Sequence, residues 1–269
     1  MNEITLDGYR LIRNIFRGGM TDLYVAVDPD GFRVVIRTLK KKYAGNRRIR
    51  NKFLNGAEVL SGLEHPNIIR QLHYGRSNGT PYMVLEYVES CTLRELIIQR
   101  APLLTENTFS LLRQMAESLY YLHSSGFIHL DFKPDNLLVT PYGLVVLIDF
   151  DLATNRPRSP VRMRESPGTP AYVAPEILTT QLADERADIY SLGVTAYEMI
   201  AFHKPFERTT QDESYMAQIN PCVKPTPFKS HGVHPPPAVE SLISKCLAKN
   251  PDNRYPAMSL VVKNLEAIL

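Results

Sequence analysis

The sequence predicts an α+β protein, with a small β-rich lobe over about residues 1–88 and a larger, mainly helical lobe over about 89–269. A change of periodicity carries this prediction. Before residue 88, short runs rich in β-branched and aromatic residues are separated by turn residues, as in YRLIRNI at 9–15, LYVAVD at 23–28, FRVVIRTL at 32–39 and PYMVLEYV at 81–88. From about residue 92, apolar residues recur at helical spacing. Leu93, Leu96 and Ile97 form one stripe, and Leu111, Leu112, Met115, Leu119 and Leu122 a second. Length is the third observation: 269 residues with 44% hydrophobic content can bury a full core, as one large domain or two coupled lobes.

One helical segment, around 47–63, interrupts the early strands. Asn55-Gly56 weakens it, since glycine is less favourable than alanine in a helix interior by about 1 kcal/mol. This helix is expected to be short, displaced or poorly ordered. Further helices fit 185–201, 237–248 and 256–268. Two stretches read as exposed loops: 154–168, with four arginines, three prolines and no aromatics, and the proline-rich 221–237. There are no internal repeats.

Composition excludes several functions. A formal charge of +3 is too mild to imply a nucleic-acid partner, and the basic residues clustered at 37–52 read as a solvated face. The three cysteines, Cys91, Cys222 and Cys246, have no metal-binding spacing and suit a reduced, cytoplasmic protein. No apolar run reaches the roughly 18 residues of a membrane span, and the N-terminus lacks the apolar stretch of a signal peptide.

The chemistry concentrates in HLDFKPDN at 129–136 and in DFD at 149–151, which begins thirteen residues after Asn136. This spacing of Asp131, Lys133, Asn136 and Asp149 is that of a phosphoryl-transfer site. Asp131 suits a base that accepts a hydroxyl proton, and Asn136 and Asp149 offer the oxygen ligands that a hard cation such as Mg²⁺ prefers.

With HPNI at 65–68, LEYVES at 85–90, GTPAYVAPE at 168–176, DIYSLG at 188–193 and NPDNRY at 250–255, the chain from about 9 to 268 resembles a protein kinase domain of the bacterial, eukaryote-like Ser/Thr type. That resemblance implies a bilobal kinase fold, with a five-stranded antiparallel sheet and one main helix in the small lobe. It also implies roles. Asp131 is the substrate-orienting base, Lys133 supports the transferred phosphate, and Asn136 and Asp149 hold Mg²⁺ or Mn²⁺. Gly18, Val35, Arg37, Glu86, Val88 and Leu138 occupy nucleotide-binding positions, with Leu85 as gatekeeper and the backbones of Glu86 and Val88 facing an adenine edge. Glu176 pairs with Arg254, and Asp188 fastens the backbone of the catalytic loop. Lys133 with Thr169 is the Ser/Thr pattern rather than the Tyr one.

Measured against that family, the small lobe departs in four places. Arg37 stands where VVIRTLK should carry a lysine, and a planar guanidinium is no conservative exchange for an ammonium. The helix glutamate that pairs with this lysine falls ten residues before Pro66, at Gly56. Glu58 lies two residues on, about 200° around a helix, so the ion pair of an assembled kinase is expected to be absent. FRGGMT keeps only Gly18 of a three-glycine phosphate loop, and Phe16 either plugs the nucleotide slot or points to solvent. Val35 replaces the small alanine over the adenine ring.

The large lobe carries Leu130 for the arginine of HRD, so switching through that arginine is excluded, although Ser159 and Ser166 remain modifiable. It also carries Asp151 for the glycine of DFG, read as a solvated acid rather than a further metal ligand. The resulting expectation is a pseudokinase, with weak or absent ATP binding and a protein-binding or nucleotide-sensing role. The alternative is an active, unconventional Ser/Thr kinase acting on a protein substrate, with Arg37 holding phosphate directly.

Overall fold

Strand alternation builds the first part of the chain into an antiparallel sheet in the computed structural model, which describes residues 5–163 and 168–268. Its strands are β1 (Thr5–Leu6), β2 (Tyr9–Arg17), β3 (Thr21–Val27), β4 (Arg33–Leu39), β5 (Gln71–Ser77) and β6 (Thr80–Glu86), in the order β1-β2-β3-β4-β6-β5. The five expected strands are present, and the two-residue β1 adds a sixth at the edge. Successive side chains point to opposite faces. Val34 and Ile36 of β4 therefore join Ala26, Tyr82 and Val84 in one buried cluster, covered by Leu6, Tyr9 and Leu11.

Arg37, one residue on, belongs to the other face. There it meets Phe53 of helix α1 (Arg47–Ser61), whose ring lies 5.4 Å from the guanidinium carbon.

Helix α1 corrects the expectation of a short or disordered segment: it runs for 15 residues. Asn46 caps it by accepting from Ile49 N at 3.1 Å. Phe53, Gly56, Ala57 and Leu60 recur at helical spacing on its buried side. Tertiary burial of that stripe outweighs the glycine's intrinsic cost. Glu58 is exposed.

The described chain to Glu89 forms one compact unit, to which Asp149–Asp151 also belong; Ser90–Ile148 and the described chain from Leu152 onward form a second. The second unit is built around α6 (Arg186–Ala201), buried at every position from Ala187 to Ala201, as befits a helix surrounded by others. The unit's other helices among the described residues are α2 (Leu93–Gln99), α3 (Pro102–Glu106), α4 (Thr108–Ser124), α5 (Pro175–Thr180), α7 (Gln211–Ile219), α8 (Pro237–Cys246) and α9 (Met258–Glu266). The short α3, α5 and α7 escape sequence periodicity because each has only one or two buried positions. Thr210 and Glu213 start α7 with a reciprocal capping box.

Short strands pair at the margins: β7 (Cys91–Thr92) with β9 (Leu137–Val139), β9 with β10 (Val145–Leu147), β8 (Phe127–Ile128) with β11 (Thr154–Asn155), and β12 (Val161–Arg162) with β13 (Leu182–Ala183). The stretch read as a loop at 154–168 thus holds two short pairings, and Ser166 lies outside the described residues. Among the described residues no helix is long and apolar enough to cross a membrane.

Candidate active site

In the second unit, Asp188 sits in the first turn of α6 with its side chain fully buried and organises the loop that follows β8. Its carboxylate accepts from His129 N at 2.7 Å, from Leu130 N at 2.8 Å and from His123 Nε2 at 2.7 Å. Burial opposes ionisation, but His123 and these donors hold the carboxyl below its ordinary value. The fastening holds Leu130 at φ 64°, a left-handed conformation that leucine rarely adopts.

Asp131 follows at once. Its Oδ2 accepts from Lys133 Nζ at 2.8 Å and from Asn136 Nδ2 at 3.1 Å, and its Oδ1 accepts from Thr169 N at 3.1 Å. Lys133 also donates to Thr169 Oγ1 at 2.7 Å. Gly168 makes this approach possible: its φ is +85°, and a Cβ there would stand 2.7 Å from Leu130 O. A 3-10 turn over Pro134–Asn136 swings Asn136 back, so that its amide nitrogen also donates to Asp131 O at 2.9 Å. The nitrogen is thus committed inward and the amide oxygen is the atom left to meet a cation. Leu138 follows on β9, half-buried opposite Val146.

In the first unit the departures from the family pattern prove to be linked. Arg37 lies between Leu23 and Met83 in the middle of the sheet and is 8% exposed. Nη1 donates to Asp151 Oδ1 at 2.7 Å and Nη2 to Asp151 Oδ2 at 2.8 Å, a two-pronged charge-assisted pair. Nη2 also approaches Asp149 Oδ1 at 3.4 Å. Asp151 is therefore not the solvated acid the sequence suggested; its side chain is 9% exposed. Burial pushes its carboxyl up to about 6, against the opposing pull of Arg37.

Gly56 explains how the carboxylate fits. A Cβ on Gly56 would stand 2.5 Å from Asp151 Oδ1 and 3.2 Å from Asp151 N. The position of the missing helix glutamate thus lies directly against the extra acid at 151. The pair with a helix glutamate is absent, since position 56 carries no side chain, and Arg37 takes its partner from elsewhere in the chain. Sequence reasoning missed Asp151 in this role; its signal was the acid appearing where the family has glycine, beside a glycine where the family has an acid.

The remaining nucleotide positions are laid out on the sheet. Val35 is half-buried opposite Leu85, and Glu86 N donates to Arg70 O at 3.0 Å. Val88 is half-buried just beyond β6. Gly18 N donates to Thr21 O at 3.0 Å in the turn between β2 and β3, and Gly18 O accepts from Lys40 Nζ. Phe16 is 58% exposed and its ring lies against Gly18, outside the core of the sheet.

No cluster of three or more His, Cys, Asp or Glu side chains suited to a metal occurs among the described residues. The donors on offer are one amide oxygen, Asn136, and one partly exposed carboxylate, Asp149. Each, within its own unit, is a hard oxygen donor of the type that Mg²⁺ or Mn²⁺ prefers.

The segment after Asp151 is anchored by protein contacts. The β12–β13 pairing continues in Met163 N donating to Gln181 O at 2.7 Å, and Arg156 pairs with Glu185 at 2.5 Å. Beyond it, Nη1 and Nη2 of the buried Arg254 donate to Glu176 Oε1 and Oε2, each at 2.7 Å.

The protein kinase domain family matches this chain over residues 9–265. A probable serine/threonine-protein kinase of Clostridium perfringens is 32% identical over 100% of this chain and 39% of its own length. The serine/threonine-protein kinase PrkC of Bacillus subtilis is 31% identical over 92% and 38% respectively. PknA of Mycobacterium tuberculosis, also a serine/threonine-protein kinase, is 34% identical over 94% of this chain and 59% of its own length. The chain thus spans between about two fifths and three fifths of these relatives.

Proposed function

Since the chain belongs to the protein kinase domain family, we propose that it is a working serine/threonine kinase, transferring the γ-phosphoryl group of ATP to a serine or threonine hydroxyl of a protein. The observation that carries this reading is the assembled cluster of Asp131, Lys133, Asn136 and Thr169, each held by hydrogen bonds within the second unit. The names of its relatives point the same way.

In this reading Asp131 orients the attacking hydroxyl and takes up its proton as the oxygen bonds to the γ-phosphorus. The bond from that phosphorus to the bridging oxygen breaks, and ADP leaves. Lys133 offsets charge on the transferred group. Asn136 and Asp149 hold the metal ion, which neutralises phosphate charge when bound. Arg37, in the place of the usual lysine, addresses the phosphates; Gly18, Val35, Glu86, Val88 and Leu138 line the nucleotide. Three cysteines without disulfide partners suit the reducing cytoplasm.

The test is labelled-phosphate transfer from ATP with Mg²⁺ or Mn²⁺ onto the protein itself and a generic protein substrate. Transfer that disappears in Asp131→Asn is the expected result; none from the unaltered protein would defeat the proposal. A binding module without turnover is the second reading. One observation favours it: both terminal nitrogens of Arg37 already engage carboxylates, so a phosphate must compete for them.

A further inference from the structure

We propose that the kinase's positioning ion pair has been transposed: Asp151, in the place of the DFG glycine, does for Arg37 what a helix glutamate does for the usual lysine, and Gly56 is the vacated socket that admits it. The inference deepens the kinase reading above, because a pair of this kind serves to aim a cation at nucleotide phosphates.

Three observations converge on it. Asp151 engages Arg37 through both oxygens, at 2.7 and 2.8 Å, and both side chains are buried. At the helix position that would carry the glutamate, Gly56, a Cβ would collide with Asp151 Oδ1, at 2.5 Å. Glu58, the nearest acid on α1, is exposed and turned away. An acid has left the helix, an acid has entered the 149–151 segment, and the cation between them has changed from ammonium to a fork that matches a carboxylate edge-on.

The geometry also explains the replacement of lysine. A guanidinium can bond Asp151 with two nitrogens and still turn Nη2 toward Asp149, 3.4 Å away. The pair is consequently anchored on the segment that carries Asp149 rather than on α1. Aiming of Arg37 follows the conformation of residues 149–151, and a shift of α1 alone leaves the partner in place. A buried pair of this type adds little to stability compared with apolar packing, so its expected signature lies in nucleotide binding as well as in the fold.

The test is a transposition cycle on the whole chain: Asp151→Asn, Asp151→Gly, Gly56→Glu, and the double variant Gly56→Glu with Asp151→Gly. Two readouts are taken, the melting temperature without nucleotide and the affinity for ATP–Mg²⁺ from thermal-shift titration. Asp151→Gly strands a buried guanidinium, and Gly56→Glu crowds two carboxylates. Each is expected to lower the Tm by about 6–10 °C, and the double variant to recover most of that loss. Asp151→Asn keeps the shape and loses the charge, and is expected to weaken ATP binding about tenfold or more, with the double variant returning to within about threefold of the parent.

Additive Tm losses in the double variant, or an Asp151→Asn protein that binds ATP within about twofold of the parent, would overturn the proposal. So would a parent that shows no ATP shift, since nothing would then be aimed. If the parent binds ATP, the cycle shows rescue, and yet no phosphate is transferred, the kinase reading falls while the transposed pair stands.

Discussion

Asp131 and Arg37 represent two kinds of residue, one whose role depends on its neighbours in sequence and one whose role depends on a distant partner. Asp131 is surrounded by donors drawn from within a few positions and from Thr169. In the proposed reaction Asp131→Asn removes the proton acceptor and nothing else of size, so kcat should fall by about 10²–10⁴ while the ATP thermal shift persists. Lys133→Ala should cost a further large factor, on the order of 10²–10³, since it removes the cation beside both Asp131 and Thr169.

For Arg37 the obvious reversion is Arg37→Lys with Gly56→Glu. With Asp151 in the socket, the new glutamate has no room: a Cβ alone at position 56 already meets Asp151 Oδ1 at 2.5 Å. That double variant should transfer less phosphate than the parent. Equal or greater transfer would show that the carboxylate moves aside at no cost.

At the level of elements, α1 and the segment after Asp151 bear most on function. Helix α1 is a full four turns despite its glycine, because the stripe of Phe53, Ala57 and Leu60 is paid for by burial rather than by helix propensity. The segment after Asp151 is tied by the β12–β13 pairing and by Arg156 with Glu185. Leu130, buried at 4% exposure, offers no cation to a phosphate there. Ser159→Ala should therefore leave the transfer rate within about twofold, whereas a loss beyond tenfold would reveal a phosphate reader that the fold does not display.

The α6 terminus carries the opposite sensitivity. Asp188→Ala leaves His129 N and Leu130 N without their acceptor in a buried site and should cost about 3–5 kcal/mol, read by denaturant unfolding. The carboxyl is held below its ordinary value of 3.8. Its stabilisation is fully present above that value and is lost as pH falls through the lower, folded one. The contribution of Asp188 should thus be lost only below about pH 4, a loss that Asp188→Asn removes from the stability profile.

For the whole molecule, the nucleotide is the natural probe. A ligand at a hundred times its dissociation constant adds about 2.7 kcal/mol to the folded state, a rise in Tm of about 5–10 °C for a chain of this size. Saturating ATP with Mg²⁺ should produce a shift of that order. Absence of any shift at millimolar ATP would leave the chain without its proposed cofactor. The division of the chain into a β-rich part and a helical part was legible in sequence, since strand and helix periods are written into consecutive residues. The short helices α3, α5 and α7 and the paired strands β11 and β12 were not, because each has too few buried positions to show a period.

What the sequence determined by itself was local: HLDFKPDN places Asp131, Lys133 and Asn136 within eight residues, and the turn between them needs only nearby bonds to bring them together. What only the tertiary structure decided was the state of the altered half of the site. Arg37 and Asp151 are 114 positions apart, and read singly each looked like damage. A buried guanidinium takes whichever carboxylate the fold delivers to it, because leaving it unpaired in a low-dielectric interior costs more than any difference between helix and loop as the source. Whether Gly56 is a defect or a socket therefore depends on Asp151 being there to fill it.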